Sequence, residues 1–237
     1  MVERILTPVR TLTPVRILRP EFITGGCVLD LKMDEGEGTV AQDTSGYGNH
    51  GTLYGPTWAD GYCGKALSFD GVDDWVRVPH APSLAIQEGT VELWIYPISH
   101  KVGWNRIIEK GLYNTQGYRI FQHKDPPFRL SANIYDKAGI IKETAYTEFP
   151  LKRWSFLTMV FRDGFLGLYK NAELVASRTD VTGAVTGTND LGIGSDYGGT
   201  ENANVTIDEV RIYNRALTAE EIKAHWLGSR VPKVRQL

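Results

Sequence analysis

The feature that most constrains the fold is a two-residue alternation of apolar and polar side chains, which recurs from residue 26 onward between turns rich in glycine, asparagine and aspartate. Successive side chains of a strand point to opposite sides, so Val91, Leu93 and Ile95 share one face, which we expect to be buried. The other face, exposed or in a groove, carries Glu92, Trp94 and Tyr96. Many short strands of this kind are typical of a sandwich of two antiparallel sheets.

Twelve such segments are found, and this number favours a jelly roll. About 210 residues carry the pattern, a length that all-β sandwiches reach as a single domain. The predicted strands are residues 27–33, 66–69, 75–78, 90–96, 106–110, 118–123, 128–134, 155–162, 165–170, 173–177, 190–194 and 206–213.

One short helix is predicted near the C-terminus. Thr218 and Glu221 have the spacing of a capping box, in which each residue satisfies a backbone N–H at the start of a helix. Ile222 and Trp226 follow four residues apart, on one face. We expect this helix to close a domain of residues 26–227, with a basic tail at 228–237.

Three similar hexads, residues 4–9, 10–15 and 16–21, precede this domain, and each contains a proline. Proline lacks an N–H and disfavours helix, so residues 1–25 are predicted to form an extended arm. In polyproline II, apolar and basic residues would lie on separate edges suited to docking on a protein assembly or a second copy of the chain. A structureless linker is the alternative. The predicted contact residues are Arg4, Leu6, Val9, Arg10, Leu12, Val15, Arg16 and Leu18.

The charge distribution argues against nucleic-acid binding. Residues 1–20 and 228–237 each carry a net charge of +3, whereas the remaining residues carry −8. A nucleic-acid-binding domain would instead present a basic face on its folded body. No run of eighteen apolar residues and no export signal are present, so we expect synthesis in the cytoplasm without membrane insertion.

Five segments in order, residues 31–53, 61–79, 90–97, 154–170 and 207–222, resemble the laminin-G-like, concanavalin-A-like jelly-roll modules. The resemblance spans residues 27–226 and implies an accessory domain of the kind found in surface and carbohydrate-active proteins. The chain has Asn171-Ala172 where the family usually has Asn-Gly after a strand. Because a tight type I′ turn favours that glycine, a wider turn is expected here.

The same resemblance implies one structural calcium ion between the first loop and the last strand. Oxygen donors on glycine-rich turns are the ligands that calcium prefers. In the alternative interpretation, Asp43 and Asn49 only build an Asx turn and Asp208 pairs with an arginine such as Arg211. The implied ligands are Asp43 and Asp208, with Asp34, Asn49 and the carbonyl of Gly46.

Catalysis is not expected. Related glycosidases carry paired carboxylates in an E-x-D-x-x-E run, because hydrolysis needs an acid and a second carboxylate close together. This chain has no such run, and Glu92, Glu109 and Glu143 stand apart from one another. Glu92 is assigned to a solvated strand face, although pairing with a distant carboxylate would make a divergent hydrolase.

Sugar-binding sites stack aromatic rings on sugar rings among polar groups, so loop aromatics with polar neighbours are the candidate ligand residues. Core packing or loop anchoring would explain any one of them. The candidates are Trp104, Asn105, Tyr113, Tyr118 and Tyr197.

Together these features favour a non-catalytic, lectin-like subunit that its N-terminal arm attaches to a larger assembly, such as a capsid decoration or fibre protein displayed on a virion. A free carbohydrate-binding module with a linker is the second interpretation.

Overall fold

The computed structural model describes residues 25–112 and 115–229, so the arm contacts predicted for residues 4–18 and the tail from residue 230 lie outside the described residues. The described residues form seventeen strands and one α-helix. In chain order these are β1 (Cys27–Leu31), β2 (Val40–Ala41), β3 (Gly51–Tyr54), β4 (Thr57–Asp60), β5 (Lys65–Asp70), β6 (Trp75–Val78), β7 (Gly89–Pro97), β8 (Arg106–Lys110), β9 (Tyr118–Gln122), β10 (Arg129–Tyr135), β11 (Ile141–Glu143), β12 (Thr147–Glu148), β13 (Ser155–Arg162), β14 (Phe165–Lys170), β15 (Glu173–Arg178), β16 (Leu191–Ile193), β17 (Asn204–Tyr213) and α1 (Ala219–Gly228).

The strands form two antiparallel sheets, which confirms the predicted jelly-roll sandwich. The eight-stranded sheet has the order β15-β14-β13-β7-β17-β5-β4, with β1 also paired to β17. The nine-stranded sheet has the order β11-β10-β9-β8-β16-β6-β3-β2, with β12 also paired to β10. All twelve predicted strands are present. The five that were missed (β2, β3, β4, β11 and β12) have at most four residues each.

The main hydrophobic core lies between the two sheets. Val91, Leu93 and Ile95 of β7 are fully buried in it, as the alternation predicts. Ile120 and Leu130 enter the same core from the nine-stranded sheet. Burying one such side chain contributes roughly 1.5–3 kcal/mol, so this layer is the main source of stability.

A second apolar cluster covers the outer face of the eight-stranded sheet. Trp94 of β7 lies there with Phe156 and Tyr213, and Ile222 of α1 packs on top. The Trp94 ring also stacks on Tyr62, with 3.4 Å between ring centroids. Trp94 therefore occupies a filled groove, one of the two positions that the sequence allows.

Helix α1 begins as predicted. Thr218 accepts a hydrogen bond from the backbone N–H of Glu221, and the Glu221 carboxylate accepts one from the backbone of Thr218. Among the described residues, no helix combines the length and the apolar character needed to span a membrane.

His225 of α1 lies 2.8 Å from the fully buried carboxylate of Glu92. The expectation of a solvated Glu92 is therefore wrong, because α1 covers this side of β7.

The hairpin between β14 and β15 also differs from expectation. Lys170 pairs directly with Glu173, so Asn171 and Ala172 alone form the turn. Both have positive φ, +54° and +65°, as a type I′ turn requires. The turn is tight, and the expectation of a wider loop is wrong because alanine has been accommodated in a left-handed conformation.

This strain predicts that Ala172→Gly stabilises the protein. A left-handed conformation costs a residue with a Cβ about 1–2 kcal/mol, and glycine avoids that cost while losing some chain entropy. We expect the free energy of unfolding to rise by about 0.5–1 kcal/mol, measured by urea denaturation.

Ala176→Gly is the matched control, because Ala176 lies in β15, paired with Leu168, and is not among the residues with positive φ. That change should lower stability by about 0.5–1 kcal/mol. An Ala172→Gly protein no more stable than wild type would contradict the explanation.

Candidate functional site

A polar cleft of about 200 Å³ opens on the face of the nine-stranded sheet that is turned away from the core. It is smaller than the roughly 300–1,000 Å³ of pockets for drug-sized ligands, and is therefore suited to a small polar group. Strands β8 to β11 and three adjoining loops contribute its lining residues: Trp104, Arg106, Phe121, Asn133, Glu143, Tyr146 and Glu201.

Strand alternation explains which side chains reach this face. In β9, Tyr118 and Ile120 point into the core, so Arg119 and Phe121 point to the cleft side. Arg119 pairs with Asn133 on β10 and with Glu109 on β8. A row of polar side chains therefore runs across the middle of the sheet.

The base of the cleft is a buried ion-pair network. Arg106 Nε lies 2.6 Å from a carboxylate oxygen of Glu109, and one Nη of Arg106 lies 2.7 Å from a carboxylate oxygen of Glu201. Arg119 Nη1 lies 3.6 Å from Glu109. Arg106, Glu109 and Arg119 are each at most 5% exposed. Buried charges are costly unless paired, so this network holds the guanidinium groups in fixed positions.

Two groups in the cleft are chemically unusual. The side-chain oxygen Oδ1 of Asn133 is buried and has no hydrogen-bond partner among the described residues, although Asn133 is only 2% exposed. A buried acceptor of this kind normally receives a hydrogen bond, so Asn133 carries an unmet hydrogen-bonding requirement in the cleft lining. Burial also raises the pKa of Glu201, despite the nearby Arg106.

Aromatic rings form one wall of the cleft. Trp104 is 40% exposed, and its ring contacts those of Phe121 and His123 at centroid distances of 5.9 and 5.1 Å. The Tyr146 ring lies 4.5 Å from that of His123. Arg106 Nη1 donates a hydrogen bond to the Trp104 carbonyl, which links the aromatic wall to the ion-pair network. The wall therefore offers an aromatic surface beside fixed polar groups.

The predicted ligand residues have different positions in the structure. Trp104 lines the cleft. Asn105 is buried and its amide donates to the carbonyls of Lys101 and Gly103, so it anchors the loop that carries Trp104. Tyr197 is half-buried in the loop before β17, outside the cleft lining.

Two predicted ligand residues remain. Tyr118 was wrongly placed at the surface: it is 1% exposed, stacks on Phe161 in the core and donates to the carbonyl of Leu84. Its position in the strand alternation points it inward. Tyr113 lies outside the described residues.

Sequence reasoning missed most of the cleft. Arg106, Asn133, Tyr146 and Glu201 were not singled out, and Glu109 was treated only as an isolated carboxylate. One available signal was the charged residue Arg119 between the apolar residues Tyr118 and Ile120, since charged residues are rarely buried without a partner.

The predicted calcium ligands fall into two groups. The Asp43 carboxylate accepts hydrogen bonds from the backbone N–H groups of Asp30, Ser45 and Asn49 and from the Ser45 hydroxyl. Although burial opposes ionisation, these bonds lower the pKa of Asp43. The Asn49 amide donates to the Val28 carbonyl and the Ser83 hydroxyl. The loop that contains Gly46 is thus organised by its own hydrogen bonds.

Asp208 and Asp34 form the second group, beside the turn between β4 and β5. Asp208 is fully buried, and its Oδ2 accepts from the Cys63 N–H. Its Oδ1 has no hydrogen-bond partner among the described residues. Asp34 accepts from the Lys65 N–H and is close enough to act electrostatically on Asp208. Burial raises the pKa of Asp208 to about 7. A cation would compensate this buried carboxylate.

The fold and the cleft together define a lectin-like jelly-roll module with a polar, aromatic-walled site. The model of the Concanavalin A-like lectin/glucanases superfamily matches residues 70–223, more than half of the chain. The protein belongs to this superfamily, which confirms the predicted family. No curated protein matches the chain.

Solved structures share the fold at low sequence identity. Domain 4 of AbnA, a GH43 extracellular arabinanase from Geobacillus stearothermophilus, in complex with arabinotriose, is 20% identical with a TM-score of 0.67; the match covers 83% of this chain and 96% of that one. The binding domain of Paraclostridial Mosquitocidal Protein 1 is 18% identical with a TM-score of 0.69, covering 85% of this chain and 52% of that one. The receptor-binding domain of botulinum neurotoxin C/D mosaic serotype is 20% identical with a TM-score of 0.69, and the match covers 87% of this chain and 52% of that one. The chain thus spans about half the length of the two toxin binding domains.

Proposed function

We propose that this protein is a non-catalytic carbohydrate-binding module whose ligand occupies the cleft beside Trp104. The observation that carries the proposal is a cleft lined both by an exposed tryptophan ring and by Asn133, whose buried oxygen has no hydrogen-bond partner within the described ranges. Support also comes from the superfamily and from the arabinotriose complex of the AbnA domain.

The cleft offers both kinds of contact that a sugar needs. The C–H face of a sugar ring packs on Trp104, while hydroxyl groups reach Asn133 and the carboxylate of Glu143 on the rim. The cationic and anionic side chains at the base neutralise one another, which favours an uncharged sugar. A volume of about 200 Å³ suits a single sugar unit rather than a long segment.

Glu109 and Glu201 have a structural explanation as partners of Arg106. These ion pairs account for both carboxylates without a catalytic role, which supports binding rather than turnover.

Two substitutions test the cleft by isothermal titration calorimetry, with arabinotriose as the first probe and the strongest binder from a glycan array as the second. Trp104→Ala removes the stacking surface and should weaken binding at least tenfold. Asn133→Ala removes one hydrogen-bond acceptor and should weaken binding about tenfold. Its thermal midpoint should not fall, because the lost oxygen has no hydrogen-bond partner among the residues that the structure describes.

Tyr47→Ala is the matched control, since Tyr47 is an exposed aromatic residue outside the cleft lining. Its affinity should equal that of wild type. Binding that survives Trp104→Ala would refute the cleft, and polysaccharide turnover that depends on Glu201 would refute a non-catalytic role.

A structural calcium ion at Asp208 and Asp34 is a separate proposal. It is supported by the buried Asp208 oxygen, which has no hydrogen-bond partner in the part of the chain that the structure describes, because calcium binds carboxylate oxygens and backbone carbonyls. The ion would neutralise the buried charge and connect the last strand to the segment after β1. Asp43 and Asn49 already have the hydrogen bonds of an Asx turn and are not included.

Thermal melts at pH 5 and pH 8, with calcium or with EGTA, test this site. Because the pKa of Asp208 is raised in the folded state, its contribution to stability without a cation falls as pH rises from about 4 to 7. Calcium should therefore raise the melting temperature clearly at pH 8 and little at pH 5.

Asp208→Asn should remove the calcium response, whereas Asp43→Asn should destabilise the loop and leave the response intact. No calcium response at pH 8 would refute the site. If the calcium response were lost only in Asp43→Asn, the calcium site would instead lie in the first loop.

We also infer that the N-terminal hexads attach the module to a larger assembly, such as a virion surface. The support is the sequence alone: three similar units with separable basic and apolar residues. Deleting residues 1–20 should abolish assembly and leave the melting temperature unchanged, measured by light scattering after gel filtration and by calorimetry. A truncated protein that still joins its assembly would contradict this.

A further inference from the structure

A second aromatic surface lies on the same sheet face as the cleft, at its other end. Tyr54 on β3 and Trp75 on β6 are directly opposite each other, and their rings stack with centroids 5.0 Å apart at 19°. Tyr54 is 42% exposed. The β2 strand pairs only with Gly51 and Thr52, so it does not extend alongside Tyr54.

Polar groups flank this surface. Arg77 lies two residues after Trp75 on the same face, close enough to Tyr54 to interact with it electrostatically. Arg77 Nε also lies 2.6 Å from a carboxylate oxygen of Asp190. This combination of an exposed ring, guanidinium donors and a carboxylate acceptor repeats the chemistry of the Trp104 cleft. The positive charge of Arg77 and the negative charge of Asp190 neutralise each other.

The two sites are connected by one short loop. Gly192 on β16 lies between Arg77 on β6 and Glu109 on β8. Arg77 and Glu109 are therefore two strand spacings apart, at roughly 5 Å for each spacing. A Cβ at Gly192 would lie 2.3 Å from the carbonyl oxygen of Asp196, so the loop passes directly over this position. A Cβ at Gly199 would lie 2.7 Å from the Trp75 ring nitrogen. The same loop then supplies Glu201 to the cleft.

We propose that Tyr54, Trp75, Arg77 and Asp190 form a second sugar subsite, and that one oligosaccharide spans both sites across the loop 195–201. The proposal rests on the proposed function and extends it, because the cleft alone accommodates one unit whereas both sites together recognise a chain. Its ligand class is an uncharged oligosaccharide of several units.

Chain-length dependence tests this subsite. The probes are monosaccharides and hexasaccharides of arabinan, xylan, galactan and glucan, titrated by calorimetry. Wild type should bind one hexasaccharide at least tenfold more tightly than its monosaccharide. Tyr54→Ala should reduce hexasaccharide affinity about fivefold to tenfold and leave monosaccharide affinity unchanged. Tyr54→Phe keeps the ring and should retain most of the affinity.

The outcomes separate the two proposals. Trp104→Ala should weaken the binding of both the monosaccharide and the hexasaccharide. Sugar binding that needs Trp104 but is unaffected by Tyr54→Ala therefore overturns the second subsite alone. Binding that needs Tyr54 but not Trp104 overturns the cleft and keeps the subsite. If no probe binds the wild-type protein, both are overturned. Melting curves of Tyr54→Ala show whether the variant is folded, and the exposed position predicts a midpoint near that of wild type.

Discussion

The apolar layer between the two sheets is the constraint on which the rest of the structure depends. Each strand contributes every second side chain to this layer, so the intervening side chains must lie on an outer face. On the eight-stranded sheet that outer face is covered by α1 and by rings such as Trp94. On the nine-stranded sheet it carries Arg119, Asn133 and the other cleft residues. The core therefore decides where a polar site can be built.

Buried charge is what gives the cleft its rigidity. Arg106 contacts two carboxylates and a carbonyl, so its orientation is fixed before any ligand arrives. A preorganised site loses less entropy on binding, which matters for a small polar ligand that buries little apolar area. The Asn133 oxygen, by contrast, has no hydrogen-bond partner among the described residues, which makes Asn133 an informative side chain of the cleft lining.

The family resemblance and the geometry contribute different information. Superfamily membership establishes the jelly roll, and the solved neighbours, at 20% identity or less, add only the same fold. The case for a sugar ligand depends on the side chains of this chain. Trp104 and Tyr54 are exposed rings on one sheet face, each beside charged groups that are paired with one another.

Local sequence patterns are enough to predict the strands of the core, the capped helix and the family, because these depend on alternation, capping residues and motifs that are local in the chain. Two errors of the sequence-based prediction differ in origin. Glu92 is buried by α1, which is distant in the sequence, whereas the inward position of Tyr118 follows from alternation within its own strand. The cleft depends on the tertiary structure, since Arg106, Asn133 and Glu201 are far apart in sequence. Strand register and the loop over Gly192 bring them together, and neither can be read from local patterns.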